Sequence, residues 1–317
     1  MENKIENVSL IPQTVENARN RLNVHPRPRK GTFSVTELEK GSKELLLTRR
    51  HYDAISRELQ DDEALIGNIV HDCMSREGKK LDDCLVEYRI NAKATVFGAE
   101  DVTISGAIDL YDKKTKTLYD YKTCKVATFE REKSGQSNKW LYQTMSYRWL
   151  LSTKGFDVDN IVIVCFLLDY SAIKNDSSPL YPKHKIETIA YDKNYFRDPE
   201  TGNPEIENQW LSYFTDKLSE LAFIGDVTDN EIPDCTPSER FEDEKWAIMK
   251  KGCKRATCTC KSEEEANLVL EGYGEGYSIE HRPGNPIKCK LYCPVHEFCS
   301  FYKALIEQSN INSNEEE

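Results

Sequence analysis

The 317-residue chain has no apolar run long enough to cross a bilayer, which takes about 20 consecutive apolar residues. Its opening stretch, MENKIENVSLIPQTVENARN, lacks a basic flank followed by an apolar core, so it does not read as a secretory signal. These two absences make a soluble, cytoplasmic protein with no membrane partner the expectation. Positive charge is also in short supply: 43 Lys and Arg against 54 Asp and Glu leave a formal charge of −11. That balance argues against a wholesale nucleic-acid coat, which is normally basic. It leaves room for a nuclease that gathers acids around a metal and touches DNA through a local basic strip. No internal repeat of fixed period is present, which argues against repeat architectures.

What is present in quantity is cysteine, eleven in all. An odd count in a reducing compartment disfavours a disulfide framework. Cys73, Cys84, Cys124 and Cys165 are scattered, whereas Cys235, Cys253, Cys258, Cys260, Cys289, Cys293 and Cys299 crowd the last third and raise a metal hypothesis. A composition 38% hydrophobic and 31% charged suits one large globular domain or two small ones.

Along the chain, residues 1–33 are polar, end in HPRPRKG and read as a flexible arm. SVTELEKGSKELLLTRRHYDAISREL reads as one helix, with Ser34 and Glu37 at capping-box spacing. EALIGNIVHDCMS reads as a second, with Leu65, Ile66, Ile69, Val70 and Cys73 in a helical stripe. CLVEYRI alternates like a strand. KWLYQTMSYRWLLS reads as an amphipathic helix, NIVIVCFLLDY as a central strand because it is continuously apolar, and KHKIETIAYD as a further strand. PEIENQWLSYFTDKLSELAFIG is a long helix. This order implies an α/β core with a mixed sheet. Residues 245–282 read as a small α+β unit of two strands, a helix starting near SEEEA and a third strand, while 304–317 read as a disordered acidic tail.

The stretch ISGAIDLYDKKTKTLYDYKT, residues 104–123, has the form of a β-hairpin around the polar turn DKKTK. It carries Asp109 in one arm and Asp120 with Lys122 in the other. Asp120 and Lys122 share a strand face. If Asp109 lies opposite or diagonal to Asp120, the carboxylates approach within about 5–8 Å and repel in a poorly solvated site. A divalent cation between them, magnesium or manganese by the oxygen-rich donor set, relieves that repulsion. Lys122 beside it is placed to orient or help deprotonate a water, and the set supplies the parts for hydrolysis of a phosphodiester. An ordinary solvated salt bridge is the competing reading. His71 follows Gly67 by one helical turn, and Gln143 and Tyr147 share a helix face, where an exposed edge is again the alternative.

GAIDL followed by DYKT, with GNIVH upstream and QTMSY downstream, resembles the PD-(D/E)xK nuclease superfamily, and most closely its RecB-like branch of phage-type and CRISPR-associated exonucleases. The resemblance implies a restriction-endonuclease-like fold, a central mixed β-sheet flanked by helices. Gly106 and Asp109 match its G-x-x-D, Asp120, Tyr121 and Lys122 its (D/E)-x-K, and Gln143 and Tyr147 its Q-x-x-x-Y. It implies that His71, Asp109, Asp120 and the Tyr121 carbonyl hold the cation. Lys122 then positions water and stabilises developing charge, with Gln143 and Tyr147 holding the lysine and the DNA strand. Glu87 matches an acid often found on the first strand.

One distant cysteine, Cys235, plus the triplet Cys289, Cys293 and Cys299 resembles the iron–sulfur staple of this branch. Four thiolates suit a four-iron, four-sulfur cluster and equally a tetrahedral zinc. The expected plan is an arm over 1–33, a nuclease core over 34–234 and a cysteine-cluster region over 235–303 that contains the 245–282 insertion. The expected activity is metal-dependent DNA hydrolysis, as an exonuclease on DNA ends or single strands, in recombination, repair or phage DNA processing. RPRK and EREKSGQSNK are candidate phosphate contacts. A non-catalytic nucleic-acid-binding module serving a helicase or recombinase partner, and a sequence-specific endonuclease, are the alternatives.

Overall fold

A computed structural model describes residues 28–55, 62–95, 102–174, 181–196, 205–224, 226–242 and 244–315, with Thr14, Asn17 and Ala18. Most of the expected N-terminal arm, including Arg27 of RPRK, lies outside the described residues. The chain divides into two compact units, residues 1–39 with 56–223 and residues 40–55 with 224–317. The second therefore takes in a segment that the sequence assigned to the nuclease core.

The first unit is a mixed sheet flanked by helices. Its strands are β1 (Thr32–Ser34), β2 (Cys84–Ala94), β3 (Val102–Asp112), β4 (Thr117–Cys124), β5 (Asn160–Leu167) and β6 (Ile186–Asp192). The order is β1-β3-β4-β5-β6, with β2 also paired to β3. β4 and β5 run parallel over their full lengths, and the other pairs are antiparallel except β1 with β3. β1 corrects the expectation of an arm over residues 32–33 and a helix starting at Ser34. Its backbone groups pair with Thr103–Ser105, a partner distant in sequence.

The single long helix expected after Ser34 is two. The capping box forms, with the Ser34 Oγ accepting from the Glu37 N–H at 3.2 Å and the Ser34 N–H donating to Glu37 Oε2 at 2.8 Å. It starts only the short α1 (Val35–Leu38); Gly41 then begins α2 (Ser42–Arg50), which belongs to the second unit. The remaining helices of the first unit are α3 (Asp62–Gly78), α4 (Val126–Lys133), α5 (Lys139–Ser152) and α6 (Glu205–Phe223). A parallel pair needs a crossover, and α4 and α5 supply it between β4 and β5. None of the described helices is long and apolar enough to cross a membrane.

β5 explains the continuous apolar run in the sequence. Ile161, Ile163, Cys165 and Leu167 are fully buried on one face, and the residues between them are half-buried on the other. α5 departs from the amphipathic reading for the same reason. Trp140, Leu141, Thr144, Met145, Leu150 and Leu151 are buried around most of its circumference, along with Gln143 and Tyr147. α3 departs the other way: Ile66, Ile69 and Cys73 of its expected apolar stripe are exposed. Its close approach to β4 runs through Gly67, where a Cβ would lie 3.1 Å from the Thr123 Oγ1.

The β3–β4 turn is made by local chemistry. Asp112 Oδ1 accepts from the Lys114 N–H at 2.8 Å and Oδ2 from the Thr115 hydroxyl at 2.7 Å, while Lys116 takes φ +52.

The second unit holds α2, the small sheet β7 (Lys245–Lys250), β8 (Ala256–Cys260) and β9 (Tyr277–Arg282), α7 (Glu263–Glu271), α8 (Ile287–Leu291) and α9 (Ser300–Glu315). The sheet order is β8-β7-β9, both pairs antiparallel. α7 packs on it through Ala266, against Ile248 and Cys260 with Cys258 and Ile279 at the margin. The strand–helix order matches the sequence reading of 245–282. The expected disordered tail is corrected: residues 304–315 continue the helix α9. Polar composition alone argued for disorder there, but a polar helix needs only one anchored end, and Ser300 Oγ accepts from the buried Lys43 ammonium at 2.8 Å.

Gly106 is the tightest packing point of the first unit. A Cβ there would meet Leu150 Cδ1 and Tyr147 Cε1, both at 2.8 Å. Gly106→Ala is expected to lower the unfolding free energy by about 1–3 kcal/mol through overpacking, read by chemical denaturation against wild type.

Candidate functional site

β3 and β4 pair only over Leu110–Asp112 with Thr117–Tyr119. Continued by one step, that register would set Asp109 across from Asp120. The ladder stops instead, while β4 stays paired with β5 along its whole length. Two acids and a lysine therefore stand at the opening of a split sheet. The Tyr121 N–H, which has lost its strand partner, donates to Asp109 Oδ2 at 2.8 Å. N–H and C=O of one strand residue leave the backbone on the same side, so the Tyr121 carbonyl also faces this opening.

Helix α3 delivers His71, whose Nδ1 lies 3.4 Å from Asp109 Oδ1, while its ring meets that of Tyr121 edge-on. Gly67, one turn earlier, makes room for β4 and also lines the cleft beside His71. Glu87 is the larger surprise. The β2–β3 register is continuous except at the step where Glu87 faces Asp109, and there Glu87 takes φ +49. A left-handed glutamate inside a strand is strained by roughly 1–3 kcal/mol. It brings Glu87 into a group with His71 and Asp109 whose candidate ligand atoms all lie within 4.8 Å of one another. Among the described residues no other such group of three occurs. His71 and Glu87 line an open, mainly polar cleft of ≈ 590 Å³ with Asn68, Asp72, Ser75 and Lys79.

Asp120 lies deeper, 3% exposed. Its Oδ2 forms an ion pair with Lys122 Nζ at 2.8 Å. Lys122 Nζ donates to Gln143 Oε1 at 2.6 Å, and Gln143 Nε2 donates to the Tyr147 hydroxyl at 3.1 Å. The exposed-edge reading of Gln143 and Tyr147 is thereby set aside: both are buried.

The electrostatics describe a site short of positive charge. Burial raises the Asp120 carboxyl above its usual range, against the pull of Lys122. Burial and then Asp109 do the same to Glu87. The hydrogen bond to Asp109 raises the His71 imidazole despite its partial burial. Burial works to lower the Lys122 ammonium, but Asp120 outweighs it and leaves Lys122 above the ordinary lysine value. Without a bound cation its ammonium is thus held charged by Asp120. Burial also pushes the Tyr147 hydroxyl well up, so it stays protonated.

Glu39 was missed by sequence reasoning. Its Oε2 lies 3.4 Å from Lys139 Nζ, its Oε1 is buried without a partner, and burial raises its carboxyl, with Lys122 and Asp120 both acting on it. It looked like one more charge on a long helix; the break at Gly41 was the signal. Lys139, from the candidate phosphate contact EREKSGQSNK, pairs with Glu39. In the same stretch Glu132 is buried and accepts from the Ser137 hydroxyl at 2.5 Å.

The donor set fits a hard divalent cation. A histidine nitrogen and two carboxylates converge, and the Tyr121 carbonyl shares the side of its N–H, which Asp109 accepts.

In the second unit, the four cysteines singled out above do not form a group with sulfurs within 4.8 Å of one another. Cys235 packs where a Cβ on Gly41 would come within 2.9 Å of its sulfur. Burial raises its thiol to about 11 and that of Cys293 to about 12. Burial and then Cys299 raise Cys289. Lys288 donates to Glu44 at 2.5 Å and feels both Cys235 and Cys293. Cys258 and Cys260 pack at the small sheet, and Cys253 is exposed in a turn.

No protein-family model matches the sequence, and no curated protein matches it. Among solved structures, the chain is similar to SSO0001 at 16% identity, over 64% of this chain and 82% of that one, with a TM-score of 0.44. It is similar to a phage related exonuclease from Haemophilus somnus 129PT at 16% identity, over 64% of this chain and 92% of that one, with a TM-score of 0.31. At these scores neither likeness bears on the chemistry.

The strain at Glu87 separates its two roles. Glu87→Gly removes a candidate ligand and relaxes a left-handed position that glycine tolerates. It is expected to melt no lower than wild type while weakening manganese binding about tenfold or more, by calorimetric titration. A variant that melts lower and binds manganese as wild type does would refute both halves.

Proposed function

We propose that the first unit is a divalent-metal-dependent nuclease of the PD-(D/E)xK type that hydrolyses DNA phosphodiester bonds, as an exonuclease. One observation carries the reading. The motif residues that the sequence spreads over 77 positions, from His71 to Tyr147, converge on one opening, joined by Tyr121–Asp109, Asp120–Lys122, Lys122–Gln143 and Gln143–Tyr147 contacts.

In this reading His71, Glu87, Asp109, Asp120 and the Tyr121 carbonyl hold magnesium or manganese. The bound cation would polarise a phosphate oxygen and acidify a water. Lys122, kept charged by Asp120, donates a hydrogen bond to the incoming water or to the phosphate oxygens as negative charge builds there. Gln143 accepts from Lys122 and fixes its reach, and Tyr147 holds Gln143 from behind. Glu39 and Lys139 complete the charge balance on the far side of Lys122.

The four outer cysteines enter the proposal as ligands of a four-iron, four-sulfur cluster. This rests on the family resemblance and on the chemistry of four thiols in one compact unit. No catalytic step passes through it.

With magnesium or manganese, the protein is expected to shorten end-labelled linear DNA and spare closed circles. Lys122→Met is expected to reduce the rate about 10²–10³-fold with manganese affinity retained. Loss of circles at the same rate would replace exonuclease with endonuclease, and binding without cleavage would replace both with a binding module. Anaerobic purification is expected to give brown protein with about four irons per chain, the colour being lost in Cys293→Ala; colourless, iron-free wild type would remove the cluster.

A further inference from the structure

The small α+β unit has a charged and aromatic end that the catalytic reading leaves unused. Its β7–β8 turn is Lys250-Lys251-Gly252-Cys253-Lys254-Arg255, four cations in six residues within a chain of net charge −11. Gly252 takes φ +81 and the Cys253 N–H donates to the Lys250 carbonyl at 2.9 Å, which closes the turn tightly. Lys251, Lys254 and Arg255 are exposed. Among the described residues no carboxylate pairs with them, whereas Lys80, Lys116 and Arg148 each have one.

Beside the turn lies the loop Gly272-Tyr273-Gly274-Glu275-Gly276. The Lys251 N–H donates to the Gly276 carbonyl at 2.8 Å, so turn and loop form one surface. Tyr273 is 38% exposed, and its ring lies 4.8 Å from that of Tyr277. Lys250 Nζ sits 6.0 Å from the Tyr277 ring. Gly274 and Gly276 take φ +73 and +91, and a Cβ on Gly252, Gly274 or Gly276 would meet nothing within 4 Å. The surface is therefore open as well as cationic, with Glu275 the one acid in the loop.

Unpaired cations beside an exposed, supported ring suit a single-stranded nucleic acid. Phosphates follow the cations, and a base stacks on the ring without regard to sequence. A folded protein partner is a poorer match, since the surface offers little apolar area to bury. We propose that this end of the small unit binds single-stranded nucleic acid, with Lys251, Lys254 and Arg255 on the phosphates and Tyr273 stacked on a base. The inference goes beyond the nuclease reading and does not depend on cleavage.

The test is fluorescence anisotropy of the full chain with a labelled single strand of about 20 nucleotides. Chelator is present to stop hydrolysis, and potassium chloride runs from about 50 to 300 mM. The variant K251E/K254E/R255E is expected to weaken binding about tenfold or more and to flatten the log–log salt slope by about 2. Lys254→Gln with Arg255→Gln, a milder change on the same exposed turn, is expected to flatten it by about 1.4. Tyr273→Ala is expected to cost about fivefold or more with the slope unchanged. Melting by circular dichroism should stay at the wild-type value throughout. Affinity and slope unchanged in the triple variant overturn the proposal, and equal loss of duplex binding with no preference for the single strand overturns its choice of ligand. A wild type that cuts DNA while the turn variants bind normally sinks this inference alone. A wild type that never cuts, yet loses binding in them, sinks the nuclease reading alone.

Discussion

The site depends on β3 and β4 parting after three paired positions. A strand cannot leave its neighbour without stranding backbone donors, and an unpaired buried N–H costs about as much as a lost hydrogen bond. Asp109 answers that cost at Tyr121 by accepting its N–H. The same carboxylate then presents its other oxygen to His71 and stands across from Glu87. One acid thus closes the split structurally and defines the centre of the candidate metal group. Beyond the parting β4 keeps its full pairing with β5, from Thr117 to Cys124, which holds Asp120 and Lys122 in place.

Charge governs what the split can do. Asp120 and Glu87 both sit above their ordinary carboxylate range, each chiefly through burial. Without a counter-ion such a group favours protonation over repulsion. Lys122 answers part of this and is itself held charged in return. Helix α5 makes that arrangement rigid, since Gln143 holds the ammonium and Tyr147 holds Gln143, and the missing Cβ of Gly106 lets Tyr147 come close enough to do so. The left-handed Glu87 shows backbone strain tolerated to complete the acid cluster.

The second unit is tied together by ion pairs that each have one buried partner. Lys43, 2% exposed, donates to Asp234 at 2.6 Å and to Ser300, and Glu44 accepts from Lys288. Such pairs contribute little net stability, but removing one partner leaves a costly buried charge. They fix α2 against the segments that carry Cys235, Cys289 and Cys293, so those cysteines are positioned by charge as much as by apolar packing. The small sheet needs none of this: Ile248, Cys260 and Ala266 form its own core.

What the sequence determined by itself is everything set by near neighbours. Alternation and the Asp112 turn specify the hairpin, the continuous apolar run specifies β5, the Ser34–Glu37 box starts a helix, and the order of GAIDL, DYKT and QTMSY marks the site residues. The small unit at 245–282 was legible for the same reason, since each of its strands pairs with one only a short distance away. What only the tertiary structure decided depends on distant partners. β1 exists because Thr103–Ser105 offers an edge, and Gln143 and Tyr147 are buried because the sheet and α6 surround α5, which erases any amphipathic stripe. Glu39 meets Lys139, and Glu87 turns left-handed opposite Asp109, through neighbours distant in sequence. Burial, and the shifts in charge that burial causes, belong to the assembled neighbourhood and not to any residue's place in the chain.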